Sequence, residues 1–131
     1  LRRVVLRDPT KTKQLRKALD DLSEDGVIQV FYPEIGSSWV VGVVGQLQLD
    51  VLISRLEAEY KVDAFLEPAP YDTARWINGR DSDLKTFAQF NGGNMAKDRD
   101  GNPIFMARSS WDVGYQQEKH PDLVFSATKE R

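Results

Sequence analysis

Residues 39–60 read WVVGVVGQLQLDVLISRLEAEY, and this stretch decides the fold because one sequence pattern replaces another within it. Its beginning, residues 39–44, is a run of β-branched and aromatic side chains that predicts a buried strand. Gly45 interrupts that run. Apolar residues then recur three or four positions apart, as in an amphipathic helix: Leu49, Leu52, Ile53, Leu56 and Tyr60. The stretch therefore predicts a strand that leads directly into a helix.

The chain before this stretch predicts one more helix between strands. Asp8 followed by Pro9 is typical of a helix N-terminus, and Gly26 is expected to end that helix in a left-handed conformation. The apolar face between them has helical spacing: Leu15, Ala18, Leu19 and Leu22. The surrounding segments are predicted as strands or a turn: strands at residues 1–7, 27–32 and, after the second helix, 62–67, with a turn at 33–38.

This order, β-α-β-β-α-β, is that of a ferredoxin-like unit. The rest of the chain repeats it more weakly: a strand at 71–77, a helix capped by Asp81 or Ser82 and ended by Gly92 and Gly93, a hairpin at 94–108, a helix capped by Ser109 or Ser110, and a strand at 123–127. We therefore predict an α+β fold in which a ferredoxin-like unit, residues 1–68, precedes a second, similar α+β lobe, residues 69–131. One sheet that continues through both lobes is the alternative.

Composition excludes several classes of function. The chain has 131 residues with no Cys and one His, which rules out disulfides, thiolate zinc sites, cysteine nucleophiles and multi-histidine metal sites. It contains no apolar run of membrane-spanning length and no phosphate loop of the form GxxxxGK[S/T]. Because the chain does not begin with Met, we expect it to be a fragment of a longer protein.

The loop around Gly101 is the segment most suggestive of metal or acid–base chemistry. Its carboxylates, Asp98 and Asp100, invite a calcium-binding interpretation, but Gly101 comes too early and Ser109 stands where a calcium loop needs Glu. A hairpin turn is the better interpretation. The same acidic pair in a small hydrolase is the enzyme alternative, and the single histidine, His120, has no evident partners and is expected to be structural.

The basic side chains are concentrated at the start of the chain. Residues 1–17 contain one acid, Asp8, among the basic residues Arg2, Arg3, Arg7, Lys11, Lys13, Arg16 and Lys17. Lys13, Arg16 and Lys17 lie off the apolar face of the predicted helix, so we expect them to be exposed. They fit either a solvated helix face with ion pairs to acids four positions further on, or a surface that contacts a phosphate backbone.

The segment at residues 45–50, Gly-Gln-Leu-Gln-Leu-Asp, resembles the Gly-Glu-Leu-His-Leu-Glu segment that opens the second helix of the third domain of elongation factor G and its relatives. With Gln48 in place of His, it is most similar to the family of bacterial peptide chain release factor three, a translational GTPase of termination. Further segments resemble that family in the same order: residues 11–15, 26–31, 73–76 and 121–130. The resemblance extends over essentially the whole chain and is weakest over residues 80–115.

The resemblance implies a cytoplasmic parent protein with an upstream GTP-binding domain, a β-barrel domain and this C-terminal domain. Such a parent binds the ribosome after peptide release and promotes dissociation of the codon-reading release factor, under the control of GTP binding and hydrolysis. GTP and magnesium would be held upstream, so the resemblance assigns no catalytic residue, metal or cofactor to this chain, and no membrane partner. Residues 1–68 would correspond to the third domain of elongation factor G, and residues 69–131 would be specific to the release factor.

We therefore expect a non-catalytic domain that docks on ribosomal RNA or protein. The candidate contact residues combine local charge, the start of the second helix and the resemblance: Lys11, Lys13, Arg16, Lys17, Gln46, Gln48 and Arg75. Arg75 has a structural alternative, in which it packs beside Trp76. Outside the family, the alternative is a stand-alone α+β module that binds RNA or protein, although Trp39 is the one aromatic residue of the strand that an RNA-recognition motif would use for base stacking.

Overall fold

The computed structural model describes residues 1–26, 28–34, 39–42 and 46–127, and the chain divides into two compact units. Leu1–Phe31 and Ser38–Ala69 form the first unit, and Tyr32–Ser37 and Pro70–Arg131 form the second. The predicted strand break at Gly45 and the end of the predicted turn at 33–38 lie outside the described residues.

The first unit alternates strands and helices: β1 (Arg2–Leu6), α1 (Thr12–Glu24), β2 (Gln29–Pro33), β3 (Val40–Gly42), α2 (Gln46–Tyr60) and β4 (Ala64–Pro68). Its strand order is β4-β1-β3-β2, and each neighbouring pair is antiparallel. The last two residues of β2, Tyr32 and Pro33, belong to the second unit. Because α1 connects β1 to β2 past the intervening β3, this is the split arrangement of a ferredoxin-like unit, and the predicted fold is confirmed.

Local sequence signals mark both ends of α1. The Asp8 carboxylate accepts a hydrogen bond from the backbone N–H of Thr10 at 3.0 Å, and Pro9 begins a short 3₁₀ turn, Pro9–Lys11, that leads into the helix. Gly26 follows the helix with a φ of 79°, a conformation that suits glycine. The predicted end of this helix is therefore confirmed. The predicted start at Asp8 and Pro9 is that of the 3₁₀ turn, and α1 itself begins three residues later, with Lys11 at its cap position and no capping side-chain bond.

The core of the first unit is aliphatic. The buried residues of α1 are those of the predicted apolar face, Leu15, Ala18, Leu19 and Leu22, and α2 buries Leu49, Leu52 and Leu56. In the sheet, Val30 lies opposite Val41, and both are buried. The Tyr60 hydroxyl of α2 donates a partly buried hydrogen bond to the Asp21 carboxylate of α1 at 3.1 Å, which links the two helices.

The second unit repeats the order of elements: β5 (Thr73–Asn78), α3 (Asp81–Phe90), β6 (Met95–Lys97), β7 (Pro103–Ala107), α4 (Ser110–Lys119) and β8 (Val124–Ser126). The strand order β8-β5-β7-β6 matches that of the first unit position by position, and each pair is again antiparallel. On the other side of β6, Tyr32 and Pro33 add a two-residue pairing. The predicted second α+β lobe is confirmed.

The core of the second unit is aromatic. Phe87 of α3 lies edge-to-face against Phe105 of β7, with ring centroids 5.2 Å apart, and against Phe125 of β8 at 5.5 Å. His120, at the end of α4, completes this arrangement at 5.0 Å from Phe87. Aliphatic and sulfur side chains fill the space around the rings: Ile77, Met95, Ala107, Val113 and Leu123. Such T-shaped contacts add to the stabilisation from area burial.

The predicted N-cap of α3 is wrong. Arg80 occupies the cap position with extended backbone and makes no capping hydrogen bond through its side chain. Asp81 lies inside the first turn, together with Asp83, where carboxylates interact favourably with the helix dipole. The N-terminus is therefore stabilised by charge rather than by a capping side chain. For α4 the prediction holds, because the Ser109 hydroxyl accepts the backbone N–H of Asp112 at 3.2 Å.

Candidate functional site

Ion pairs already engage much of the basic charge at the start of the chain. Arg2 and Arg3 lie within β1, inside the strand predicted at residues 1–7. The pairs are Arg3 with Glu67 at 3.1 Å, Arg7 with Asp63 at 3.3 Å, Arg16 with Asp20 at 3.3 Å and Lys17 with Asp21 at 3.6 Å. The last two are the predicted i,i+4 pairs of α1. The charge that this segment presents to a partner is therefore smaller than its composition indicates.

Arg16 is the most constrained of the candidate contact residues. Its guanidinium also lies over the Trp39 ring, 5.8 Å from the ring centroid, so a carboxylate and an aromatic ring both orient it. A phosphate ligand would have to compete with both. Arg16 is thus placed to position its neighbours on α1 as much as to bind a ligand.

Lys13 is the candidate whose charge is most available. It is exposed on the first turn of α1, and within the described part of the chain it takes part in no ion pair. Lys11 is half-buried at the end of the 3₁₀ turn and likewise has no ion pair among the described residues. These two lysines are therefore the basic centre of the candidate site, and Lys17 adds an exposed ammonium one turn further along the helix.

The start of α2 holds the two candidate glutamines. Gln46 opens the helix, but its side chain lies outside the described residues. Gln48 is partly buried in the first turn, whereas Leu47 between them is 76% exposed. The structure thus places both glutamines at the start of α2 in the first unit, as predicted, and adds an exposed leucine that sequence reasoning did not select.

Arg75 lies in β5 of the second unit, whereas the six other candidates belong to the first unit. Its guanidinium donates hydrogen bonds to the Thr73 hydroxyl at 2.7 Å and to the Ala74 carbonyl at 2.8 Å. Because successive residues of a strand point to opposite faces of the sheet, Arg75 shares a face with Thr73 and not with Trp76. Its structural role is therefore to brace β5 rather than to pack beside Trp76, and its half-buried side chain leaves limited surface for a partner.

Asp98 has a structural role that argues against an acid–base role. Its buried carboxylate accepts hydrogen bonds from the indole N–H of Trp76 at 3.0 Å and from the backbone N–H groups of Asp100 and Asn102, each at 2.9 Å. The Asn102 amide adds a further bond at 3.0 Å. Burial by itself raises the pKa of Asp98, but these donors outweigh burial and lower the pKa below its ordinary value. The carboxylate thus holds the β6–β7 hairpin turn and fastens it to β5, as the hairpin interpretation predicts.

Metal chemistry finds no support in the described residues. They contain no group of three or more His, Asp or Glu side chains arranged to hold a metal ion. His120 caps the C-terminus of α4 and packs on Phe87, which agrees with the structural role expected for it. No helix in the described ranges is long and apolar enough to cross a membrane.

Sequence reasoning missed an exposed aromatic pair on α4. Trp111 and Tyr115 have the spacing of one helix face, but the buried residue of this helix is Val113, so the two rings face solvent. Val113 lies on the opposite side of the helix from both rings, so choosing it as the core residue would have predicted that the rings are exposed. From the sequence alone, the face of Val113 and the face of the two aromatic rings were both reasonable candidates for the side that packs on the core.

Comparison of the sequence with known proteins places this chain in a family. A sequence profile described as "Class II release factor RF3, C-terminal domain" matches residues 1–117. A curated relative, Peptide chain release factor 3 of Aromatoleum aromaticum, is 46% identical over 126 residues, which make up 95% of this chain and 23% of the relative. The chain thus spans about a quarter of the length of that relative (23%). The chain belongs to the family of class II release factor RF3 C-terminal domains.

Proposed function

We propose that this chain is a non-catalytic, ribosome-docking domain of a cytoplasmic release-factor GTPase that acts in translation termination. The observation that carries the proposal is the family match over residues 1–117. In this proposal the parent promotes GTP-dependent dissociation of codon-reading release factors from the ribosome. Upstream GTPase and β-barrel domains are the other partners within the same protein, with residues 1–68 and 69–131 as the two lobes of this domain.

In this proposal the upstream domain binds the nucleotide and this chain provides a docking surface. The chain contains no phosphate-loop sequence, so GTP and magnesium would be bound in the upstream domain. Two ferredoxin-like units with packed cores can hold a surface in a fixed orientation while another domain changes state. Exposed Lys13 and Lys17, with half-buried Lys11, give the start of α1 a basic surface suited to phosphate groups of ribosomal RNA.

Charge reversal at Lys13 tests the docking surface most directly. Because Lys13 has no ion pair among the described residues, Lys13→Glu changes the outer surface without removing an ion pair, whereas Arg16→Glu would remove the pair with Asp20. The matched control is Lys85→Glu, since Lys85 is also exposed on a helix and has no ion pair in the described part of the chain. Both variants are made in the full-length protein.

We expect Lys13→Glu to weaken binding to purified ribosomes several-fold and to reduce the slope of log affinity against log salt concentration by about one. Lys85→Glu should bind as the wild type does. Equal binding by both variants contradicts the surface assignment. A full-length protein that loses this whole domain, yet still binds ribosomes and recycles release factors in GTP, contradicts the docking role itself.

The non-catalytic role has its own test. The purified chain should hydrolyse no GTP above background. Turnover that a substitution within the chain abolishes would contradict this part of the proposal. A parent gene without a phosphate loop upstream would instead favour the stand-alone binding module.

A further inference from the structure

Helix α4 carries an exposed, ordered pair of aromatic rings for which the proposed function has no use. The planes of Trp111 and Tyr115 are 11° apart, and their centroids are separated by 5.3 Å. Trp111 is 74% exposed and Tyr115 is 41% exposed. The ammonium of Lys119, one turn further on, lies over the Tyr115 ring at 5.2 Å from its centroid. The three side chains form a ladder whose outer rung is Trp111.

The outer face of Trp111 is open. Within the described part of the chain, the ring contact of Trp111 is with Tyr115 alone, and Arg108, three residues earlier, does not stack on it. An exposed indole face with negative charge density attracts a planar cation, and arginine is the side chain that fits it best. The ladder thus ends in a vacant stacking position.

Gly114 lies on the same side of the helix as the two rings. A Cβ atom at this position would meet nothing within 4 Å, so no neighbour in the described structure requires a small residue here. Glycine inside a helix destabilises it relative to alanine. No contact in the described structure therefore requires a glycine at position 114, whereas a partner backbone could approach closely through the notch that Gly114 leaves beside Trp111 and Tyr115.

The charge around the ladder favours a protein over a nucleic acid. Glu118 follows Trp111 by seven residues, almost two full turns, and so lies in line with it. Glu118 and Asp112 take part in no ion pair among the described residues, and the basic residue of α4 is Lys119, which is engaged with Tyr115. Affinity for nucleic acid depends on neutralising phosphates, and α4 itself carries two acids against one base that is already engaged.

We propose that Trp111, Gly114, Tyr115 and Glu118, the α4 stripe, dock a basic segment of a protein partner. An arginine of the partner stacks on the open face of Trp111, and a second basic side chain pairs with Glu118. Tryptophan and tyrosine are the residues that most often dominate binding energy at protein interfaces. Because the rings are already stacked, they lose little conformational freedom on binding. The inference rests on the proposed function, in which the domain docks on the ribosome, and it assigns the α4 stripe to a basic protein of the ribosome.

Three single variants of the full-length protein test the stripe on purified ribosomes. Trp111→Ala should lower the affinity tenfold or more, because it removes the stacking platform. The matched control, Phe90→Ala, removes another exposed aromatic side chain (78% exposed) from α3 of the same unit and should change the affinity less than twofold. Gly114→Ala should raise the thermal unfolding temperature but lower the affinity, an opposite pair of effects that a purely structural glycine would not produce. Wild-type affinity in Trp111→Ala or Gly114→Ala overturns the assignment.

Photocrosslinking identifies the class of partner. A benzophenone side chain at position 110, exposed beside the stripe but outside it, is irradiated in the full-length protein bound to purified ribosomes. A protein adduct that maps to a segment rich in arginine and lysine supports the proposal. An RNA adduct, or no adduct while the protein remains bound, overturns it. If Lys13→Glu weakens binding and Trp111→Ala does not, this inference fails alone; if the wild-type protein does not bind ribosomes, the proposed function fails with it.

Discussion

The two units have the same strand order but secure their helices differently. Helix α1 buries four side chains of aliphatic character along its length, Leu15, Ala18, Leu19 and Leu22. Its counterpart α3, of which every residue is described, buries Phe87 alone. One topology is thus held in one case by a distributed aliphatic face and in the other by one buried aromatic anchor, Phe87, with partly buried Leu84 and Ala88 packed beside it. The second arrangement should be far more sensitive to one substitution.

The polar interactions differ in the same direction. In the first unit they include several ion pairs on the surface, such as Lys17 with Asp21, and exposed pairs contribute little. A partly buried hydrogen bond from Tyr60 to Asp21 accompanies them. In the second unit a buried carboxylate, Asp98, receives hydrogen bonds from Trp76 and from the hairpin turn. In the second unit, Phe87 and Asp98 thus each make several core or network contacts at once.

Replacing the anchor should break the second unit most severely. Phe87→Ala removes the ring that contacts Phe105, Phe125 and His120, and we expect a loss of about 3–5 kcal/mol in the free energy of unfolding. Denaturant unfolding measures the loss, and amide hydrogen exchange should place it in the second unit. The control Phe90→Ala, on the same helix but exposed, should change the free energy by less than about 0.5 kcal/mol. A loss below about 1 kcal/mol for Phe87→Ala would show that the anchor is dispensable.

Neutralising the buried carboxylate should have the next largest effect. Asp98→Asn keeps the shape but turns an acceptor of four hydrogen bonds into a group with one acceptor oxygen, and we expect a loss of about 1.5–3 kcal/mol. The control Asp100→Asn, exposed in the same turn, should be nearly neutral. Equal effects from both substitutions would mean that the turn, and not the hydrogen-bond network, is what matters.

The same carboxylate should make the second unit sensitive to acid. The folded-state pKa of Asp98 lies below its ordinary value of 3.8, so its stabilisation is fully present above pH 3.8 and disappears as the pH falls through the lower, folded-state pKa. The difference in unfolding free energy between wild type and Asp98→Asn should therefore be constant near neutral pH and shrink at acid pH. A difference that grows on acidification would have the wrong sign for a depressed pKa.

Replacing one glycine with a positive φ in each unit should lower the stability of the two units by similar amounts. Gly26 after α1 has a φ of 79° and Gly101 in the β6–β7 turn has a φ of 84°, and a Cβ at either would meet nothing within 4 Å. Gly26→Ala and Gly101→Ala should each cost about 1 kcal/mol, because the penalty comes from backbone conformation and not from packing. Thermal unfolding measures both, and a large difference between them would reveal a tertiary role for one glycine.

The smallest effect should come from a surface ion pair of the first unit. Lys17→Ala removes the pair with Asp21 at 3.6 Å, and we expect a change of about 0.3–0.5 kcal/mol that vanishes in high salt. Unfolding of both proteins at low and high ionic strength provides the measurement. A change above about 1 kcal/mol would mean that the first unit also depends on single polar contacts.

Local patterns predicted most of the fold but only part of the candidate site. The hairpin at residues 94–108 and the i,i+4 pairs of α1 follow from contacts between residues close in sequence, and both are present. The pairs of Arg3 with Glu67 and Arg7 with Asp63 join residues more than fifty positions apart, so no local pattern shows them. For that reason the sequence overstated the free positive charge of residues 1–17. The cap of α3 was missed because Asp83 and Asp81 stabilise that helix end without a capping side chain.

The sequence by itself determined the order of helices and strands, the end of α1 and the family, because caps, glycines and apolar periodicity act over a few residues. Only the tertiary structure decided which charges remain available. The pairing of β1 with β4 brings Glu67 to Arg3, and it brings Asp63, just before β4, to Arg7, just after β1. It also decided that Asp98 links the hairpin turn to β5 by hydrogen bonds and that Trp111 and Tyr115 face solvent. Burial and partners depend on what packs against a residue, and residues distant in the chain supply that packing.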